Sequence, residues 1–336
     1  MGPNNKAAAR CCSESPSRAN LALIDEFVAQ STAGDATCTK YRTHLLEFAR
    51  WCEHTGCMDL LEVRTGQVAR FMAYLRSGNR FAAAKHHRVA QSASGATRKN
   101  VRSSLCRFYR YLESVELVPK NPVLAVESPK ARHTPGLVLT AEEVRRILEV
   151  PGQPRERVQV YLLTYTGARE HEIRQLRWQD IDFQNQTMLL RGKNYKHRVI
   201  DIHPRLMVEL RRWLLAQEEH ACANAHVRAA KSNADTDFVL LTSRGRQLSH
   251  SVIIKQLKQR AARAGVRCIK TADKDNVSAV HPHALRRTFG TLLLNDGHHL
   301  DAVADVLGHA SVNTTRKHYA FSSTERRRDT IHGLPL

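Results

Sequence analysis

The chain is 336 residues long and carries 52 lysines and arginines against 32 acidic residues, which gives a formal net charge of +20. With 42% hydrophobic and 25% charged residues, the composition is that of a globular protein and excludes disordered and fibrous chains. The length predicts about two domains. Because so large an excess of positive charge repels itself, its usual use is to attract a polyanion, such as nucleic acid or an acidic membrane surface.

The sequence predicts no membrane span and no secretion signal. The longest apolar run, over residues 158–168, is about half the roughly twenty residues that a spanning helix needs. The first six residues lack the apolar core of a signal peptide. Among the eight cysteines, Cys52 and Cys57 flank His54 but lack a second pair of ligands at zinc-site spacing. We therefore predict a soluble cytoplasmic protein with reduced thiols and no metal.

The first third of the chain has the apolar spacing of helices. Residues 1–18 are small, polar and mildly basic, and we predict a disordered leader there. Over residues 19–118, apolar residues recur at helical spacing, as in Leu45, Phe48 and Cys52, and no strand-like alternation competes. This pattern predicts an α-helical domain over residues 19–118.

The charge of this domain indicates what it binds. Eleven lysines and arginines and no acidic residue lie between Val63 and Leu112. A solvated surface normally mixes both signs, so a surface of one sign favours contact with phosphates, although a basic solvated face is the alternative. The residues predicted to bind DNA are Arg98, Lys99, Arg102 and Arg110 on the last helix, with Lys85 and Arg88 in the segment before it.

A linker and a second domain follow. Four prolines between residues 116 and 136 predict an extended linker, assigned to residues 119–136, whose basic character suits a path along DNA. The second domain, residues 137–336, opens with a capping box at Thr140 and Glu143. Short strands are predicted at 181–183, 187–191 and 198–203, and helices from residue 204 onward apart from a loop at 220–237. The predicted fold class is therefore mainly α with a small antiparallel β-sheet.

Several short motifs follow one another in this second domain. Residues 166–173 read Thr-Gly-Ala-Arg-Glu-His-Glu-Ile, residues 283–286 read His-Ala-Leu-Arg, and residues 307–309 read Leu-Gly-His. Tyr319 follows His309 by ten residues, and Lys193, in a Gly-Lys turn, follows Arg169 by 24 residues. In this order and spacing, residues 140–325 resemble the catalytic domain of the tyrosine site-specific recombinases, the phage integrase and Xer-like family. The preceding helical domain is similar to the core-binding domain of that family.

The resemblance implies a two-domain clamp around duplex DNA and strand exchange through a 3′-phosphotyrosine and a Holliday junction. The implied catalytic residues are Tyr319 as the nucleophile, with Arg169, Lys193, His283, Arg286 and His309. By the same resemblance, Lys193 protonates the leaving 5′-oxygen, with Lys196 as the alternative. His283 then accepts a proton or orients the phosphate, and His309 donates a hydrogen bond to it. Glu172 is expected to orient a neighbouring residue, and no metal or cofactor is implied.

The chemistry of the residues agrees with these roles. His283 and Arg286 are three residues apart on a helix that starts after Pro282, so both project from one face. Arginine presents a planar fork to two phosphate oxygens, and Arg169 could hold the same phosphate from the other side. Each residue taken alone also fits an ordinary structural role, and only their joint occurrence favours an active site.

The position of Tyr319 departs from the family pattern. Many members place the nucleophile nine residues after the last histidine, whereas here the separation is ten. One extra residue rotates a helical side chain by about 100°, unless a loop between Ala310 and Thr314 absorbs it.

The resemblance also implies partners and leaves alternatives. It implies a homotetramer on double-stranded DNA with inverted-repeat core sites, and an association with the nucleoid. The segment after Tyr319 is either a tail that docks on a neighbouring protomer or a frayed basic end. The alternatives to a recombinase are a type IB topoisomerase that relaxes DNA, and a non-catalytic DNA-binding regulator of the same fold. The intact set of catalytic residues argues against the regulator.

Overall fold

The computed structural model describes residues 16–77, 92–130, 136–192, 197–271 and 274–308. It divides into two compact units, a first unit over residues 1–134 and a second unit over residues 135–336. Several predicted residues lie outside the described residues: Lys85, Arg88, Lys193, Lys196, His309 and Tyr319. The predicted leader, apart from its last residues, and the segment after Tyr319 lie outside them as well.

The described part of the first unit is helical. Its helices are α1 (Arg18–Gln30), α2 (Asp35–His54), α3 (Thr65–Ser77) and α4 (Gly95–Ser114). Their apolar faces enclose one core, in which the ring centroids of Phe48 and Phe71 lie 4.8 Å apart. The buried side chain of Asn20 joins α1 to the segment after α2, because it donates to Met58 O at 3.0 Å and accepts from Leu60 N at 3.1 Å.

The first part of the predicted linker is not extended. Val118 and Val123 are buried in the core of the first unit, and the chain around them forms turns. Arg102 holds this segment, since its Nε donates to Val126 O at 2.8 Å and its Nη2 donates to Val123 O at 3.1 Å. The helix ends at Ser114, before the first of these prolines, and Val118 and Val123 bind the following segment to the core.

The second unit contains helices and a small sheet. Its helices are α5 (Ala141–Glu149), α6 (Pro154–Tyr165), α7 (Glu170–Gln175), α8 (Pro204–Ala223), α9 (Ala225–Lys231), α10 (His250–Arg263), α11 (Pro282–Asn295) and α12 (Leu300–Leu307). Strands β1 (Ile181–Asp182), β2 (Thr187–Arg191) and β3 (His197–Asp201) form an antiparallel sheet in the order β1-β2-β3. The prediction of a mainly α fold with a small antiparallel sheet is confirmed.

Two local predictions in this unit were wrong. Helix α9 lies within the predicted loop at 220–237, because Asn224 caps its N-terminus and Val227 and Ala230 are buried beside Leu241. A hairpin of β4 (Cys268–Thr271) and β5 (Lys274–Ser278) replaces part of the predicted helical region. Its strands are short and mostly polar, so their pairing gave little signal in the sequence.

The two cysteines that flank His54 are free thiols. Cys52 and Cys57 are buried, and burial, the largest cause, raises the pKa of both thiols. Within the described ranges, no group of three or more histidine, cysteine or acidic side chains could hold a metal ion. Of the helices that the structure describes, none combines the length and apolar character that crossing a membrane requires.

Candidate active site

The side chain of Arg286 lies at the centre of the site. Helix α11 begins at Pro282, and His281 caps it by accepting a hydrogen bond from Ala284 N at Nδ1. One turn later, Arg286 is only 4% exposed. Its Nη1 donates to Gly167 O at 2.6 Å and its Nη2 donates to Leu307 O at 2.7 Å. Arg286 therefore joins the turn before α7 to the C-terminus of α12.

Arg169 lies at the N-terminus of α7 and reaches the same place. Its backbone N–H donates to Glu172 Oε2 at 2.8 Å, and its Nη1 donates to Glu172 Oε1 at 3.0 Å. Its Nη2 donates to Gly308 O at 3.4 Å, one residue beyond the carbonyl that Arg286 binds. The two arginines predicted to hold one phosphate therefore bind adjacent carbonyls at the end of α12.

Glu172 pairs with a second arginine that sequence reasoning missed. Arg198 in β3 donates from Nη1 and Nη2 to the two carboxylate oxygens of Glu172, at 3.1 and 3.0 Å, and from Nε to Val306 O at 2.8 Å. Burial opposes ionisation of Glu172, but the hydrogen bonds and charge of Arg198, followed by those of Arg169, outweigh it and lower its pKa. A signal was available, because alternation along β3 places Arg198 on the same side as the buried Ile200.

Two glycines allow the backbone to close around these side chains. Gly167 (φ +57°) and Gly308 (φ +65°) both adopt the left-handed conformation. A Cβ at Gly167 would lie 2.5 Å from the ring of Phe289, and a Cβ at Gly308 would lie 2.9 Å from Arg198 Nη1. The glycine of each motif is therefore required by both backbone conformation and lack of space.

Replacing Gly167 with alanine is expected to lower the free energy of unfolding by about 1–3 kcal/mol, because the residue would be strained and would press on Phe289. Urea unfolding followed by tryptophan fluorescence measures the change. Gly66→Ala is the matched control, since Gly66 lies in a helix with open space around it. Equal stability of Gly167→Ala and the unaltered protein would contradict this packing.

His283 lies on the exposed side of α11, three residues before Arg286. Partial burial of its ring, followed by the charges of Arg286, His281, Arg287 and Arg169, lowers its pKa. The lowered pKa favours the neutral imidazole, which is the form that accepts a proton.

The structure places Arg169, Glu172, His283 and Arg286 near one another. Their arrangement is cationic at its centre, with one buried carboxylate that orients two arginines. Such a site suits an anionic group with at least two oxygens, and the neutral histidine beside it suits proton transfer.

The predicted DNA-binding residues on α4 have different environments. Lys99 and Arg110 are exposed, Arg98 is half-buried, and Arg102 binds the carbonyls of Val123 and Val126. Arg107, which was not predicted to bind DNA, is also exposed. It follows Lys99 by eight residues and Arg110 follows Lys99 by eleven, so the three side chains share one face of the helix. The guanidinium of Arg102 is thus engaged within the first unit, whereas the roles of Lys99 and Arg110 stay predictions.

Comparisons with known proteins identify the family of this chain. The phage integrase family model matches residues 137–326. Tyrosine recombinase XerC of Oceanobacillus iheyensis is 32% identical over 303 residues, which cover 87% of this chain and 89% of the relative. Tyrosine recombinase XerD of Shewanella oneidensis is 27% identical over 301 residues, which cover 88% of this chain and 89% of the relative.

Two solved structures have a similar fold. A post-cleavage complex of the XerH site-specific recombinase with palindromic difH substrate has a TM-score of 0.66 and 20% identity, and the match covers 98% of this chain and 94% of that one. A lambda integrase dimer bound to a COC′ core site has a TM-score of 0.62 and 16% identity, and the match covers 89% of this chain and 94% of that one. From the family match, the relatives and the arginine-centred site together, this chain belongs to the phage integrase family of tyrosine recombinases, enzymes that break and rejoin DNA in site-specific recombination.

Proposed function

We propose that the second unit cleaves one DNA strand at a time by transferring a phosphodiester to Tyr319. The observation that carries this proposal is the convergence of Arg169 and Arg286 on adjacent backbone carbonyls, with His283 one turn from Arg286. A guanidinium carries its five N–H groups in a planar fork, which is the geometry that binds phosphate oxygens. The two cations then neutralise the charge that builds on the non-bridging phosphate oxygens.

The proton and electron movements balance without a cofactor. The phenolic oxygen of Tyr319 attacks phosphorus while its proton passes to neutral His283, and the bond from phosphorus to the 5′-oxygen breaks. Lys193, or Lys196 in its place, gives a proton to that leaving oxygen, and His309 donates a hydrogen bond to the phosphate. The new 3′-phosphotyrosine keeps the energy of the broken ester, so the reverse attack by a 5′-hydroxyl rejoins a strand with no nucleotide consumed.

The wider assembly is proposed from the likeness to the family. We propose that the two units form a clamp on duplex DNA at inverted-repeat core sites, and that four protomers exchange strands through a Holliday junction. The net charge of +20 supports association with a polyanion. A tail exchanged after Tyr319 would couple neighbouring active sites, and the protein would act on DNA of the cytoplasmic nucleoid.

Replacing Tyr319 with phenylalanine is expected to abolish the covalent adduct and leave DNA binding unchanged. The substrate is a nicked suicide duplex built from inverted repeats that flank the gene, spaced about one helical turn apart. Mass spectrometry of the trapped wild-type adduct should place the nucleotide on Tyr319. Tyr165→Phe is the matched control and should form the adduct as the wild type does.

Three results would refute this assignment: an adduct on another residue, cleavage by Tyr319→Phe at the wild-type rate, or no wild-type adduct on any flanking repeat. A supercoiled plasmid without the repeats should stay supercoiled, because relaxation without a site is the property of the topoisomerase alternative.

A further inference from the structure

The segment that leads into the second unit is fixed to the helix that carries the active-site residues. The backbone N–H of Leu139 donates to Thr288 Oγ1 at 2.9 Å, and both residues are buried. The hydroxyl of Thr288 in turn donates to Ala284 O at 2.9 Å, one turn back along α11. Residues 136–140 follow the boundary of the two units, and the Leu139 hydrogen bond places this segment against α11.

A second contact joins this segment to Arg287. A Cβ added at Gly136 would fall on the Arg287 guanidinium, with Nη2 only 2.6 Å away and the other guanidinium atoms closer. Gly136 is not among the glycines with positive φ, so its backbone conformation does not require glycine. The Arg287 guanidinium lies directly against the Gly136 backbone, so a side chain at this position would displace the guanidinium.

Arg287 also faces the proton acceptor. It follows His283 by four residues on α11, so the two side chains are neighbours on one face of the helix. Its charge contributes to the lowered pKa of His283, behind partial burial, Arg286 and His281. Arg287 thus lies between the lead-in segment and the residue that is proposed to take the proton from Tyr319.

We propose that Arg287 is a positioning residue of the recombination reaction: held against Gly136, it fixes His283 for proton transfer and makes that transfer depend on the path of residues 136–140. This inference rests on the proposed function, because it uses the role of His283 in that reaction. A merely structural Arg287 would stabilise α11 without influencing the protonation of His283.

A double-mutant cycle with a pH profile tests the inference. Single-turnover cleavage of the suicide duplex is measured at saturating protein from about pH 5 to 8, for Arg287→Gln, Gly136→Ala and the double variant. Each single variant should lower the plateau rate about ten-fold. Arg287→Gln should also move the acidic limb of the pH–rate profile to higher pH by about half a unit, since removing a cation favours protonated His283.

The double-mutant cycle distinguishes coupling between Arg287 and Gly136 from two independent losses of cleavage rate. Glutamine is too short to meet a new Cβ at position 136, so Gly136→Ala should be silent in the Arg287→Gln background. Arg287→Lys keeps the charge and should restore the acidic limb toward its wild-type position. Arg244→Gln, an exposed arginine in a turn of the same unit, changes the net charge equally and should leave rate and profile unchanged.

The inference is overturned if the acidic limb of Arg287→Gln coincides with that of the wild type. It is equally overturned if the loss of cleavage rate in the double variant is the product of the losses in the two single variants. Urea unfolding of each variant ensures that folded proteins are compared. Should Arg287→Gln fold poorly, Gly136→Ala carries the test, and an unchanged plateau rate in that variant overturns the inference. Absence of any wild-type adduct is a different result, which refutes the proposed function and not this coupling.

Discussion

Replacing Arg286 with glutamine is expected to lower the single-turnover rate of DNA cleavage by about 10²–10³-fold, the usual loss when one preorganised donor to a developing charge is removed. The guanidinium is held by Gly167 O and Leu307 O and is almost inaccessible to solvent, so its position is set before DNA binds. Glutamine has neither the charge nor the reach to bind both carbonyls. The variant should therefore also be less stable, by about 1–3 kcal/mol for each buried carbonyl left without its donor.

Arg286→Lys separates charge from geometry. Lysine keeps the positive charge, but a single ammonium group cannot replace a planar fork that donates in two directions. We expect Arg286→Lys to recover little of the lost cleavage rate, because the phosphate would meet a misplaced cation. Cleavage is measured on the suicide duplex, and stability by urea unfolding. Arg211→Gln, exposed on α8, is the matched control for a lost surface charge. Cleavage by Arg286→Gln close to the wild-type rate would refute a role for Arg286 at the phosphate.

The sequence predicted the parts of the site that lie on regular elements. His283 and Arg286 share α11, and the period of a helix alone places them on one face. The short strands around the Gly-Lys turn were predicted closely, because turn residues and alternating apolar residues coincide there. The proximity of Arg169 to Arg286 was predicted only through the resemblance, since no local rule brings residues so far apart in the chain together.

The contacts between elements could not be predicted. The Glu172 carboxylate takes part in two ion pairs, and only tertiary structure shows that Arg198 is the buried second partner. The binding of Arg102 to the linker carbonyls was missed for the same reason, because charge patterning indicates exposure but not local acceptors. Helix α9 lies where a loop was predicted, because a few small apolar side chains pack in a local cluster there.

Replacing Glu172 with glutamine is expected to destabilise the second unit by about 3 kcal/mol at neutral pH, the lower end of the usual loss when one partner of a buried ion pair is removed. The Glu172 side chain is fully buried, whereas 12% of the Arg198 side chain and 34% of the Arg169 side chain are exposed, so solvent relieves part of the penalty. Glutamine can accept at one oxygen only, which leaves two guanidinium groups facing each other without a neutralising charge. Glu142→Gln is the matched control, since Glu142 pairs with Arg145 on an exposed surface and should cost little.

The pH dependence of the stability difference between wild type and Glu172→Gln identifies the carboxylate as its cause. The pKa of Glu172 is lower in the folded protein than in the unfolded chain, so its stabilisation is complete above the unfolded value of about 4.3. It is lost as the pH falls through the lower folded value. The gap between wild type and Glu172→Gln in urea unfolding should therefore be constant at neutral pH and shrink below about pH 4. Because Arg169 depends on the same carboxylate, cleavage should fall with stability in Glu172→Gln and stay normal in Glu142→Gln. A gap that persists undiminished in acid would mean that the shape of the Glu172 side chain matters and its charge does not.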